Sequence, residues 1–135
     1  MKSTRRKFIV AASVLAAAEV TATAFPFTEM KTSGTLIHHA VFWLKNPASI
    51  EDRDKLIMGI KSLGEIKAVK MVHVGIPAST EKRDVVDNSF SVSEIMFFDN
   101  VQDQKTYQDH PIHQKFIQDY SHLWEKVIVY DAINV

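Results

Sequence analysis

The segment Thr-Leu-Ile-His-His-Ala-Val-Phe-Trp-Leu-Lys, residues 35–45, most constrains what this chain can fold into. Its β-branched and aromatic side chains are those of a strand. Successive side chains of a strand point to opposite faces. One set here is Leu36, His38, Ala40, Phe42 and Leu44; the other is Ile37, His39, Val41 and Trp43. Both sets are largely apolar, so the strand needs cover on both faces. A sheet with one wet face does not satisfy it.

The rest of the chain supplies the cover. Asn46-Pro47-Ala48-Ser49 forms a turn, and Ser49 is placed to cap a helix, with Glu51, Asp52 and Asp54 near its positive end. Leu56, Ile57, Ile60 and Leu63 then repeat at helical spacing, with Gly64 as the stop. The spacing predicts a helix over residues 50–63. A second strand is expected over residues 69–76, closed by Pro77. Residues 78–89 form a polar, charged loop, near the length at which loops are functional or mobile. In the third strand, residues 90–98, Phe90, Val92, Glu94, Met96 and Phe98 alternate with Ser91, Ser93, Ile95 and Phe97. After Asp99-Asn100 come a short helix over residues 101–109 and a second helical segment opened by Pro111, whose missing N–H suits a first turn. That segment is expected to reach about residue 124, and residues 125–135 to form the last strand.

The order β-α-β-β-α-β is the split, ferredoxin-like pattern. It predicts an α+β fold with a four-stranded antiparallel sheet and helices on one face. The other face would leave Phe, Trp, Val and Met side chains in water, which monomers seldom tolerate. A two-fold homodimer packing sheet on sheet covers it.

The N-terminus reads as an address. Lys2, Arg5, Arg6 and Lys7 precede an apolar stretch over residues 8–18, and Ala22-Thr23-Ala24 offers a small-residue cleavage site. Those are the parts of a secretory signal peptide. The run Ser3-Thr4-Arg5-Arg6-Lys7-Phe8-Ile9 resembles a twin-arginine motif. The apolar stretch is too short to span a bilayer, so no stable membrane insertion is expected after cleavage. The expected organisation is a signal peptide at residues 1–24, a flexible leader at residues 25–34 and one domain at residues 35–135, exported to a periplasm or secreted. The whole chain of 135 residues has no net charge. Setting residues 1–24 aside removes four basic groups and one acid, leaving three more acidic than basic groups. Such a balance makes a poor nucleic-acid binder. The chain has no Cys, which excludes disulfides, thiolate metal sites and a cysteine nucleophile.

The stretch Tyr107-Gln108-Asp109-His110-Pro111-Ile112-His113 concentrates the chemistry. His113, Phe116, Tyr120 and Trp124 fall on one face if the helix continues. An apolar pocket with one titratable tip follows. Neutral imidazole can act as a general base near pH 7, and a Tyr hydroxyl can hydrogen-bond a developing oxyanion. The same residues also have purely structural readings: His110-Pro111 as a capped helix junction, His113 as a satisfied half-buried histidine, Tyr107 as packing between helix and sheet. Glu94, among apolar neighbours, reads as a buried base, as a rim residue, or as a partner of Lys70 or Lys126.

Several motifs together resemble the stress-responsive dimeric A/B barrel (Dabb) family. They are His39-Ala40-Val41-Phe42-Trp43-Leu44-Lys45, His73-Val74-Gly75, Asp87-Asn88-Ser89-Phe90, Tyr107-x-x-His110-Pro111-x-His113, and Trp124-Glu125-Lys126-Val127 followed by Tyr130-Asp131. The resemblance covers about residues 36–135. It implies a ferredoxin-like protomer and a homodimeric barrel, and it leaves the reaction open, since a shared fold does not fix function. One plant member cyclises a linear polyketide with a Tyr and a His at this motif. By position these are Tyr107 and His113, with His38, Phe42, His110, Phe116 and Trp124 as the candidate pocket. In some members backbone carbonyls near the end of the first helix hold a cation, which here corresponds to residues 63–69. Six His without Cys do not make a metal site by themselves. His38 and His39 point to opposite faces, and no carboxylate completes a set. No Gly-rich phosphate motif is present, and no cofactor is expected. Two functions follow as expectations: binding of a small apolar or aromatic molecule in a barrel pocket, or cofactor-free cyclase-, isomerase- or monooxygenase-like chemistry on Tyr107 and His113.

Overall fold

The computed structural model describes residues 34–135. The expected signal peptide and all but the last residue of the expected leader lie outside the described residues. The elements are β1 (Leu36–Leu44), α1 (Ile50–Ser62), β2 (Met71–Gly75), β3 (Val92–Phe98), α2 (Val101–Asp109), α3 (Pro111–Tyr120) and β4 (Trp124–Ile133). The sheet order is β2-β3-β1-β4, and every neighbouring pair is antiparallel. This is the expected α+β, ferredoxin-like arrangement, with β1 central as its two apolar faces require.

Local chemistry sets the helix starts. Ser49 accepts the Asp52 N–H through its hydroxyl, 3.1 Å away, and Glu51 and Asp52 lie in the first turn of α1. Asn100 does the same for α2, taking the Asp103 N–H at 2.8 Å. These caps satisfy N–H groups that have no partner inside the helix. One face of α1 supplies Leu56 and Ile60 to the core, where they meet Leu36, Phe42, Leu44, Val92, Met96 and Phe98. Against α3 the approach is close: a Cβ at Gly59 would lie 2.7 Å from the Tyr120 ring. No helix among the described residues is long and apolar enough to cross a membrane.

Register assigns the faces. His38 lies opposite Met96 and Asp131, and Ala40 opposite Glu94 and Val129. These residues share the face that the helices cover. The other face carries Ile37, Val41, Trp43, Ile95, Phe97, Ile128 and the exposed Met71 and Tyr130. No helix covers it.

The expected helix over residues 111–124 stops at Tyr120. A single 3-10 turn, Ser121–Leu123, follows, and Trp124 has extended backbone as the first residue of β4. Trp124 therefore does not continue the helical face of His113. It meets Phe116 from the strand, with the rings 5.9 Å apart and nearly parallel. Likewise α1 ends at Ser62, and Gly64 falls within the 3-10 turn Leu63–Glu65.

Candidate functional site

The site is organised by the break between α2 and α3. The residue before a proline is driven out of helical backbone, and His110 is extended, with φ −69° and ψ 139°. Its Nδ1 accepts the Ile112 N–H at 3.1 Å, making it the cap of α3, with Pro111 in the first turn. His110 was expected in the ligand pocket. It is not among the residues that line the cavity, because its imidazole is turned back onto α3.

The break brings Tyr107 of α2 against His113 of α3, their rings 4.7 Å apart. It also ends α2 with carbonyls that have no helical partner. One of them, Gln108, accepts from His113 Nδ1 at 3.1 Å. That bond places the proton on Nδ1, so the neutral ring carries its lone pair on Nε2. Burial holds the His113 pKa below its ordinary value, with the Gln108 carbonyl working against it and His38 adding to it. The imidazole is therefore neutral at pH 7.

Tyr107 is 1% exposed. Its ring lies 5.2 Å from Phe98 and 5.8 Å from His38. Burial raises the hydroxyl pKa well above the usual phenol range, and the carboxyls of Glu94 and Asp131 add to the effect. Tyr107 is thus a neutral O–H donor at any physiological pH. His38 is held by Asp131, whose Oδ1 lies 2.6 Å from Nδ1. This pair follows from the β1–β4 register. Sequence reasoning gave Asp131 no role, since the two residues lie 93 positions apart.

The sequence leaves Glu94 as a buried base, a rim residue or a partner of Lys70 or Lys126. The rim and pairing alternatives fail. Lys70 Nζ sits 3.1 Å from Asp99, and Lys126 Nζ lies over the Trp43 ring at 4.3 Å. Glu94 is 1% exposed, and its Oε1 has no hydrogen-bond partner. Burial pushes its pKa up to about 8. The signal in the sequence was its phase: Glu94 alternates with Val92, Met96 and Phe98, all fully buried.

These groups surround one cavity of about 140 Å³ between the sheet and α2–α3. His38, Phe42, Tyr107, His113, Phe116 and Trp124 all line it, and Glu94 joins them. Phe42 and Trp124 meet edge to face, 5.1 Å apart. Val127 and Val129 of β4 form the outer side. The loop over residues 78–89 contributes nothing to the lining. It frames a separate hollow of about 260 Å³, whose side chains, including Glu81, Lys82, Arg83 and Asp84, are mostly exposed. No buried polar group converges there, so the smaller cavity is the candidate site. Among the described residues no three His, Asp or Glu side chains come together as a metal-binding set. In the stretch over residues 63–69, the Leu63 and Ile66 carbonyls accept backbone N–H groups.

The arrangement offers a neutral hydroxyl donor, a neutral imidazole with its basic nitrogen unclaimed, and a carboxyl without a partner, set in aromatic walls. Such a site can bind a small, largely apolar molecule and hydrogen-bond one end of it. It can also move a proton next to a carbonyl without a metal.

No curated protein matches the chain in sequence. Solved structures do match in fold. A hydroxynitrile lyase from Passiflora edulis superposes with a TM-score of 0.66 at 20% identity, covering 76% of this chain and 95% of that one. A Dabb family protein with a ferredoxin-like fold from Mesorhizobium loti gives 0.62 at 23% identity, covering 76% and 98%. A dimeric ferredoxin-like protein of unknown function from Thermobifida fusca gives 0.60 at 15% identity, covering 75% and 92%. The model of the stress responsive A/B barrel domain matches residues 36–134, nearly all that the structure describes, and the chain belongs to the Dabb family.

Proposed function

We propose that this protein binds a small molecule of about one ring in the cavity between the sheet and α2–α3. The observation that carries this reading is the convergence of Tyr107, His113, His38 and Glu94 on one aromatic-walled space. Its volume, about 140 Å³, is on the order of the ~150 Å³ of an engineered cavity that accepts benzene.

A second reading is cofactor-free proton transfer. It is favoured by the His113–Gln108 bond, which fixes the tautomer and leaves Nε2 as a base. Tyr107 would donate to a carbonyl or hydroxyl oxygen while Nε2 takes the proton. A protein of similar fold is a hydroxynitrile lyase, so this fold is compatible with catalysis. Ala40 tests both readings, because it lines the cavity and is buried. NMR titration with toluene and phenol is expected to shift resonances of Tyr107, His113 and Phe116. Ala40→Leu should weaken that binding by about tenfold or more, because its three added carbons take up space in the cavity. Unchanged titrations in the variant would sink the cavity reading. Tyr107→Phe and His113→Ala then separate the two functions. Retained binding with lost turnover favours the enzyme; retained binding with no product from any protein favours a binding module.

We also propose that the protein is exported and acts as a homodimer joined through the open sheet face. The export reading rests on Lys2, Arg5, Arg6 and Lys7 and the apolar stretch behind them. The dimer reading rests on the half-buried Ile37, Trp43, Ile95 and Phe97, on the sheet face that no described helix covers, and on similar structures described as dimeric. Protein recovered from the periplasm or medium of its host should begin at residue 25 and scatter light at twice the protomer mass. An uncleaved cytoplasmic chain would overturn the first proposal and a monomer the second.

A further inference from the structure

Each imidazole that lines the cavity is already engaged by the protein at one nitrogen. His38 is tied to Asp131 and His113 to the Gln108 carbonyl. Glu94 differs. Its Oε1 is buried and makes no hydrogen bond, and burying a carboxyl oxygen without a partner is costly. Room beside it comes from the strand register. Ala40 lies directly opposite Glu94 on β1, and it is the smallest of the β1 side chains on that face, between His38 and Phe42. Both Ala40 and Glu94 line the cavity. The small Ala40 side chain leaves room on the Glu94 side of the cavity.

The rest of the lining narrows what can occupy that space. Four aromatic rings, those of Phe42, Tyr107, Phe116 and Trp124, form much of the wall, and no Lys or Arg contributes. A carboxylate or phosphate would meet no lysine or arginine in the lining. A pure hydrocarbon would leave Oε1 as it is. A ring bearing a hydrogen-bond donor supplies the one missing partner.

We propose that Glu94 is a specificity-determining residue, whose Oε1 accepts a hydrogen bond from a hydroxyl or amino group on a ring-sized ligand. The proposal rests on the cavity reading above and deepens it. It names the ligand class as small monocyclic alcohols, phenols or amines, and it gives Glu94 a role separate from Tyr107 and His113.

The test is an NMR titration of the full chain with three near-isosteric probes: toluene, phenol and aniline. The native protein should bind phenol or aniline about tenfold more tightly than toluene, the worth of one well-made hydrogen bond. The tighter of the two identifies the donor as oxygen or nitrogen. In Glu94→Leu the preference should collapse to within about twofold while toluene still binds. Glu94→Gln, which keeps an acceptor oxygen, should retain it, and Glu94→Met replaces the leucine variant if that fails to fold. Equal binding of all three probes by the native protein overturns the role of Glu94 and leaves the cavity standing. So does a preference that survives in Glu94→Leu. Binding of no probe overturns the cavity reading and this proposal together.

Discussion

Glu94→Gln is expected to stabilise the protein above pH 8 and to remove most of its loss of stability between about pH 5 and 8. The carboxyl has a folded pKa of about 8 against an ordinary value of 4.5, because burial disfavours its charged form. Below pH 4.5 it is protonated in both states, and the native state suffers no charge penalty. As pH rises from 4.5 toward 8, the unfolded chain releases the proton while the native one holds it, so stability falls. Above 8 the native carboxyl ionises too, and the loss levels off. A shift of that size corresponds to roughly 3–5 kcal/mol across the window, a large share of a small domain's ~5–15 kcal/mol. The groups around Glu94 do not mimic this. Tyr107 stays neutral throughout, and His113, with its lowered pKa, contributes in the opposite sense and at lower pH. Urea midpoints from pH 5 to 9 should therefore coincide for the two proteins at the acid end and separate at the alkaline end. Parallel curves would show that Glu94 is solvated in the native state.

Phe98→Ala should cost about 3–5 kcal/mol, the usual range for deleting a fully buried aromatic ring. Phe98 is completely buried and backs the rings of Tyr107, at 5.2 Å, and His38, at 6.4 Å. Its loss removes packing and leaves a void directly behind the site. The urea midpoint should drop with little change in slope, the sign of lost stability without lost compactness. Tyr107→Phe keeps the ring and should cost far less, which separates packing from the hydroxyl's role. A loss below about 1 kcal/mol in Phe98→Ala would mean that the helices close over the gap.

Elements whose signals are local were legible in the sequence. The start of α1 follows from Ser49, and α2 spans Val101–Asp109 as expected, because Asn100 and the His110-Pro111 junction mark its ends. The alternation in β1 and β3 gave both faces. The end of α3 was misread because Trp124 falls at helical spacing from Phe116 yet meets it from a strand. Spacing cannot distinguish a fourth turn of helix from a chain that reverses and returns to the same place. The site was legible where its members share one short motif, as Tyr107 and His113 do. Asp131 and the lone carboxyl of Glu94 depend on cross-strand register and on which lysines fall short. Both are facts of tertiary structure. His110 shows the converse: its motif marked it as a pocket residue, while the backbone constraint imposed by Pro111 turned it into a cap.

The junction at His110-Pro111 also has an electrostatic consequence. By stopping α2 at Asp109, it leaves the negative end of that helix's dipole at the Gln108 carbonyl, to which His113 is bonded. Positive charge at a helix C-terminus is favoured by ~0.3–1 kcal/mol, and by up to ~2 when partly buried. An imidazolium formed on His113 by proton transfer would thus be received by a partial countercharge built from backbone, in place before any substrate arrives. A continuous helix from Val101 to Tyr120 would pair that carbonyl internally and move the dipole's end to the far side of the protein. The chain break thus offsets part of what burial costs a protonated His113.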